Sequence, residues 1–145
     1  MSPPTVLPDV EALVGAWLRE HDDIAALNAR VAGRTPDSMT NPWIRVTRLD
    51  APRLAKATFD HAIRPTLQLD CYAGKTAMDA QDGQREANLL GATARAVLAA
   101  LWGTTRDGVA IGAVNILGDA RVPDTTREPA LERVVLTVEI VLHAI

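Results

Sequence analysis

Three histidines, one cysteine and a few acidic residues are what this chain could use for chemistry. His21, His61 and His143 lie far apart, in none of the short spacings (HxH, HExxH) that let two imidazoles share a metal ion. His21-Asp22 and Asp60-His61 are neighbouring pairs. A catalytic dyad needs its groups to converge in space, and adjacent residues of a strand point to opposite faces. Both pairs read as surface or loop residues. Cys71 alternates with polar neighbours in Leu67-Gln68-Leu69-Asp70-Cys71-Tyr72, with no base or helix start beside it to lower its pKa. It reads as a buried structural thiol. As the only cysteine it excludes an internal disulfide.

Asp119, Asp124 and Glu128 lack the alternating spacing and closing glutamate of a calcium loop, so they read as a solvated loop. The glycines of Gly108-Val109-Ala110-Ile111-Gly112 lead into more strand. A phosphate cradle needs its backbone N–H groups at the start of a helix. No catalytic residue, metal site or cofactor is expected.

The elements that would carry these residues follow from periodicity. After the proline-rich residues 1–8, Val10, Leu13, Val14, Trp17 and Leu18 recur at helical spacing, with Asp9 and Glu11 in the first turn. Asp22 can cap a second short helix bearing Ile24, Leu27 and Val31, with Gly33 as its stop. Trp43–Leu49 reads as a strand, residues 50–62 as a long hairpin loop, and Ile63–Ala73 as a second strand with Pro65 near its start. Residues 82–102 form the clearest helix, on the stripe Leu90, Ala94, Val97, Leu98 and Leu101, with Asp82 as a cap and Gly103 as its end. Val109–Leu117 reads as a third strand and residues 118–130 as a loop. Arg133–Ile145 is a fourth strand, with Val134, Leu136, Val138, Ile140 and Leu142 on one face. The expectation is one α+β domain over residues 1–145: an antiparallel or mixed sheet of about four strands in two hairpins, packed on one long helix and two short N-terminal helices.

At 145 residues the chain can bury a core without disulfide or metal. A net charge of −3 argues against a surface built to grip nucleic acid. Met1-Ser2-Pro3-Pro4 lacks the basic and apolar regions of a signal peptide, and no apolar run reaches membrane-spanning length, so synthesis in the cytoplasm is expected. Of the few aromatics, Trp17 and Trp102 lie beside apolar stripes and read as core. Trp43 shares a strand face with Arg45 and Thr47, and fits either sheet packing or an interface. Arg45 and Arg48, with Arg53 and Lys56 just beyond, are the one local basic concentration. They fit either a solvated edge that deters strand aggregation or contact with an acidic neighbouring subunit. With Leu54 and Phe59 they form the candidate interface: Trp43, Arg45, Arg48, Arg53, Leu54, Lys56 and Phe59.

The order of features resembles the tail terminator family of long-tailed bacteriophages. Two short helices joined by His21-Asp22-Asp23 precede Ala32-Gly33-Arg34, and the strand Pro42-Trp43-Ile44-Arg45-Val46-Thr47-Arg48 follows. A second strand ends in Asp70-Cys71-Tyr72-Ala73 and runs into the helix containing Arg85-Glu86-Ala87-Asn88-Leu89-Leu90. The Pro123-Asp124 loop then leads to Glu132-Arg133 at the head of the last strand. In the family that strand commonly opens with an arginine, often followed by an aromatic; here Val134 follows. The resemblance spans about residues 9–145. It implies a structural protein of the virion that forms a homohexameric ring. The ring would cap the major tail tube protein, stop its polymerisation and offer a docking face to a head-completion or connector protein. DNA would pass through the lumen without specific binding, and no membrane would be involved. Alternative readings are another phage neck component, a small cellular α/β ligand-binding regulatory domain and, last, an enzyme.

Overall fold

The final strand organises the molecule. A computed structural model of the chain describes residues 8–34, 41–49, 62–74, 80–126 and 131–145. In chain order the elements are α1 (Val10–Glu20), α2 (Asp22–Ala26), β1 (Arg30–Ala32), β2 (Trp43–Arg48), β3 (Ala62–Ile63), β4 (Thr66–Tyr72), α3 (Ala80–Ala99), β5 (Thr105–Arg106), β6 (Val109–Arg121) and β7 (Arg133–Ala144). β7 pairs antiparallel with β4 on one side and with β6 on the other. The sheet is seven-stranded, in the order β1-β2-β4-β7-β6-β5, with β3 also on β7. β3 and β4 share one register, from Ala62↔His143 to Tyr72↔Arg133. Pro65 interrupts this ladder because it has no N–H, yet its carbonyl still accepts from the Ile140 N–H at 3.1 Å.

The architecture is mixed α+β, and both expected hairpin pairings are present, β2 with β4 and β6 with β7. The expected count of about four strands is too low. The missed strands β1 and β5 are two or three residues long, too short to show a period, and the expected strand Ile63–Ala73 is divided at Pro65 into β3 and β4. β1 displaces the end of the expected second helix: α2 stops at Ala26, Asn28 takes a left-handed φ of 58°, and Val31 lies on a strand. His21, not Asp22, caps α2, its Nδ1 accepting from the Asp23 N–H. β5 and β6 are joined through Asp107-Gly108, both at positive φ (49° and 80°), as a two-residue hairpin requires. β6 runs on past Gly118 to Arg121 through a register irregularity, so the strand takes in the start of the expected loop.

The helices share one side of the sheet. Ile44, Val46, Leu67, Leu69, Cys71, Val134, Leu136, Val138, Ile140 and Leu142 form a continuous core with Val10, Leu13 and Leu18 of α1 and Leu90, Ala94, Val97 and Leu98 of α3. Trp17 is partly buried against this core and donates from Nε1 to the Val97 carbonyl at 2.7 Å, which ties α1 to α3. Gly91 lets α3 approach β7 closely; a Cβ there would lie 2.7 Å from Val134 Cγ1. Trp102 departs from its expected place in the core. It falls in the turn after α3, before Gly103 at φ 82°, and is 61 % exposed.

Candidate assembly surface

The sheet's other side carries the polar residues of the same strands. The register sets Trp43, Tyr72 and Arg133 in one row, Arg45, Asp70 and Val135 in the next, and Thr47, Gln68 and Thr137 in a third. Asp70 sits on β4 between β2 and β7 and is fully buried. Arg45 Nε lies 3.5 Å from its Oδ2, and Arg133 Nη1 lies 3.6 Å from its Oδ1. Gln68 donates from Nε2 to Oδ1 at 3.0 Å. Oδ2 accepts no hydrogen bond among the described residues, so the Arg45 ion pair is its compensation. A buried carboxylate without a paired cation would be strongly disfavoured.

Each arginine is itself held in place. Arg45 Nε donates to Thr47 Oγ1 at 3.2 Å. Arg133 Nε donates to the Val122 carbonyl at 2.8 Å, and its guanidinium lies 5.8 Å from the centre of the Tyr72 ring, within cation–π range. Two half-buried cations thus clamp one buried anion across three strands. The arrangement fixes their register and presents guanidinium edges to the outside.

A family model described as Tail completion protein gp17 matches residues 11–143, from α1 through nearly all of β7. The chain belongs to that family. It is therefore a structural protein of the bacteriophage tail, acting in tail completion. No curated protein matches the chain. In this tail completion protein, two residues quoted for the resemblance, Asp70 and Arg133, prove to be partners across β4 and β7.

Of the candidate interface residues, the structure describes Trp43, Arg45 and Arg48, and these do not share one face of the sheet. Trp43 and Arg45 lie on the face away from the helices, where Trp43 donates from Nε1 to the Arg34 carbonyl at 3.1 Å. Arg48 follows the opposite alternation, and its backbone N–H is bonded by Glu11 Oε1. Arg53, Leu54, Lys56 and Phe59 lie outside the described residues, as does the expected hairpin loop around them. A solvated-edge role does not fit Arg45, since β1 pairs with β2 from Trp43 to Arg45 and Asp70 engages its side chain. Gln68 and Thr47 were not singled out by sequence reasoning. Their polar types on alternating strands gave no sign that they would support a buried ion cluster.

The residues considered for chemistry have structural settings. His21 caps α2 and meets Trp17 edge-on, with ring centres 6.0 Å apart. His143 is exposed on β7, and His61 lies outside the described residues. Cys71 is fully buried. Burial pushes its thiol pKa well up, and the carboxylates of Asp70 and Asp119 add to the shift, so it stays a neutral thiol. Asp119 pairs with Arg95 at 3.2 Å. Asp124 is nearly buried, not solvated as expected, and accepts from the Thr126 N–H and hydroxyl. Glu128 is outside the described residues. Among the described residues no three acidic, histidine or cysteine side chains could hold a metal, and no helix is long and apolar enough to cross a membrane.

Proposed function

We propose that this protein is a tail terminator: copies of it form a homohexameric ring on the tail tube, stop its growth and provide the face on which the head docks. The observation that carries this reading is the family match over residues 11–143. The form of the molecule supports it. Helices back one side of the sheet, while the other side is an ion-paired framework suited to a fixed surface rather than a reaction. In this reading Trp43, Arg45, Arg48 and the segment with Arg53, Leu54, Lys56 and Phe59 contact neighbouring subunits or the tube. The partners are the major tail tube protein and a head-completion or connector protein. A net charge of −3 suits a lumen through which DNA slides without binding. The protein acts without catalysis or cofactor and resides in the virion.

Deleting the gene and imaging lysates by electron microscopy tests this. Tails of uncontrolled length that fail to join heads are expected, with both defects restored by the protein in trans. Normal tails joined to heads would defeat the proposal. Tails of normal length that fail to join heads would make the protein another neck component.

A further inference from the structure

Charge is unevenly divided over this molecule. On the face away from the helices, the row of Trp43, Tyr72 and Arg133 extends to Arg30 on β1, which pairs with Trp43. Arg34 lies just past β1, and its carbonyl takes the Trp43 indole N–H. Arg45 and Arg133 are engaged by the buried Asp70. Arg30 and Arg34 are exposed and have no ion pair among the described residues. Acidic side chains collect elsewhere. Glu20, at the end of α1, pairs with Arg106 at 3.0 Å, and Asp22 and Asp23 open α2. Asp107 adjoins Arg106 in the β5–β6 turn. Asp22, Asp23 and Asp107 are exposed. Asp23 lies 3.8 Å from His21 Nδ1, and Asp22 and Asp107 have no ion pair among the described residues.

We propose that the arginine row of one copy receives the acidic corner of the next, and that these charge-matched surfaces are the subunit contact of the ring. This rests on the ring reading above. A head-to-tail contact joins unlike surfaces of identical subunits. Here the unlike surfaces carry opposite sign, and each holds charges that find no partner among the described residues of their own chain. Guanidinium forks suit carboxylates, and Trp and Arg are side chains on which protein contacts concentrate their energy. Matched charge also sets which surfaces meet and in what register. A nucleic-acid strand fits the row less well. Tyr72 is buried, and Trp43 is half-buried with its N–H already used, so neither ring offers the free stacking platform that single strands use.

Three variants of the full chain test this: Arg30→Glu with Arg34→Glu, Asp22→Arg with Asp23→Arg, and all four reversals together. Arg85→Glu with Arg95→Glu makes an equal charge change on exposed side chains of α3 as a control. Mass in solution, with and without purified tail tubes, is read at about 0.05 M and about 0.5 M salt. The wild type and the control should assemble, more weakly at the higher salt. Each pair variant should assemble about tenfold or more weakly, and the fourfold variant, with opposite signs restored at every contact, should recover. If a reversal does not fold, Arg30→Gln with Arg34→Gln and Asp22→Asn with Asp23→Asn decide, each weakening assembly and its salt dependence. Rings that form equally well in both pair variants would overturn this contact and leave the ring reading standing. Loss in both pairs without recovery in the fourfold variant would overturn the match between these two surfaces. Unchanged rings in the arginine variant that no longer bind tubes, or that lose binding to a DNA oligonucleotide, would give the row to that partner instead. A dimer restored by the fourfold reversal would support the contact and defeat the ring. A chain that stays monomeric on tubes at low salt would overturn both.

Discussion

Asp70 and Cys71 are neighbours on β4, both fully buried, and they face opposite sides of the sheet. Cys71 lies in the apolar layer beneath the helices, where shape decides the fit. Asp70 lies between two arginines, where charge does. The helix side tolerates little change of volume, because interiors are packed to crystal-like density. The other side tolerates changes of shape at its exposed rim but not an imbalance of charge at its centre. A protein that must present a fixed surface to partners gains from this division: one face supplies stability, and the other holds register while staying polar.

Removing the cations should have the largest effect. Arg45→Met with Arg133→Met leaves the Asp70 carboxylate buried and unpaired. Breaking a buried pair from one side costs about 3–5 kcal/mol. Urea unfolding should show a loss of that order, and adding Asp70→Leu should recover most of it, since the partners are then removed together. A double variant as stable as wild type would mean that charge does not organise this face.

The helix side is tested at its closest approach. Gly91→Ala improves helix propensity by about 1 kcal/mol. It also sets a Cβ about 2.7 Å from Val134 Cγ1, and overpacking costs about 1–3 kcal/mol. A net loss of about 1 kcal/mol is expected, with relief when Val134→Ala is added, read as a coupling in a double-mutant cycle. Additive losses would mean that α3 and β7 yield independently at this point.

These two sides were not equally legible in the sequence. The apolar face was: the alternation from Val134 to Leu142 and the stripe Leu90, Ala94, Val97, Leu98 and Leu101 mark the elements and their buried sides, and all of these residues are buried. Short elements were not, because β1 and β5 carry too few residues for a period. Asp107-Gly108 is nevertheless a strong two-residue hairpin signal that could have revealed β5. Trp102 was misread because it extends the α3 stripe by one step, although the helix ends at Ala99. The ion cluster could not be read at all. Arg45, Asp70 and Arg133 lie on three strands, and only the register Arg45↔Asp70 and Tyr72↔Arg133 brings them together. A polar residue on an alternating strand reads as solvated unless the neighbouring strands are known.

The smallest effect is expected at Cys71. Replacing the thiol with Cys71→Ala removes one buried polarisable group and should cost about 1 kcal/mol near pH 7. The comparison sharpens with pH. Burial raises the folded thiol pKa far above that of the unfolded chain, about 8.5. Below that value both states hold the proton and the thiol adds no pH dependence. Above it the unfolded state releases the proton while the folded state keeps it, so wild-type stability falls as pH rises. By pH 10 this loss amounts to about 1–2 kcal/mol, and Cys71→Ala does not share it. The stability gap between the two proteins should therefore close or reverse between pH 8 and pH 10, as measured by urea unfolding across that range. The native thiol should resist iodoacetamide until the chain is unfolded, since the thiolate is the reactive form. A constant gap, or fast alkylation of the native protein at pH 8, would mean that Cys71 meets water and that the helix side is less tightly closed than Gly91 and Val134 imply.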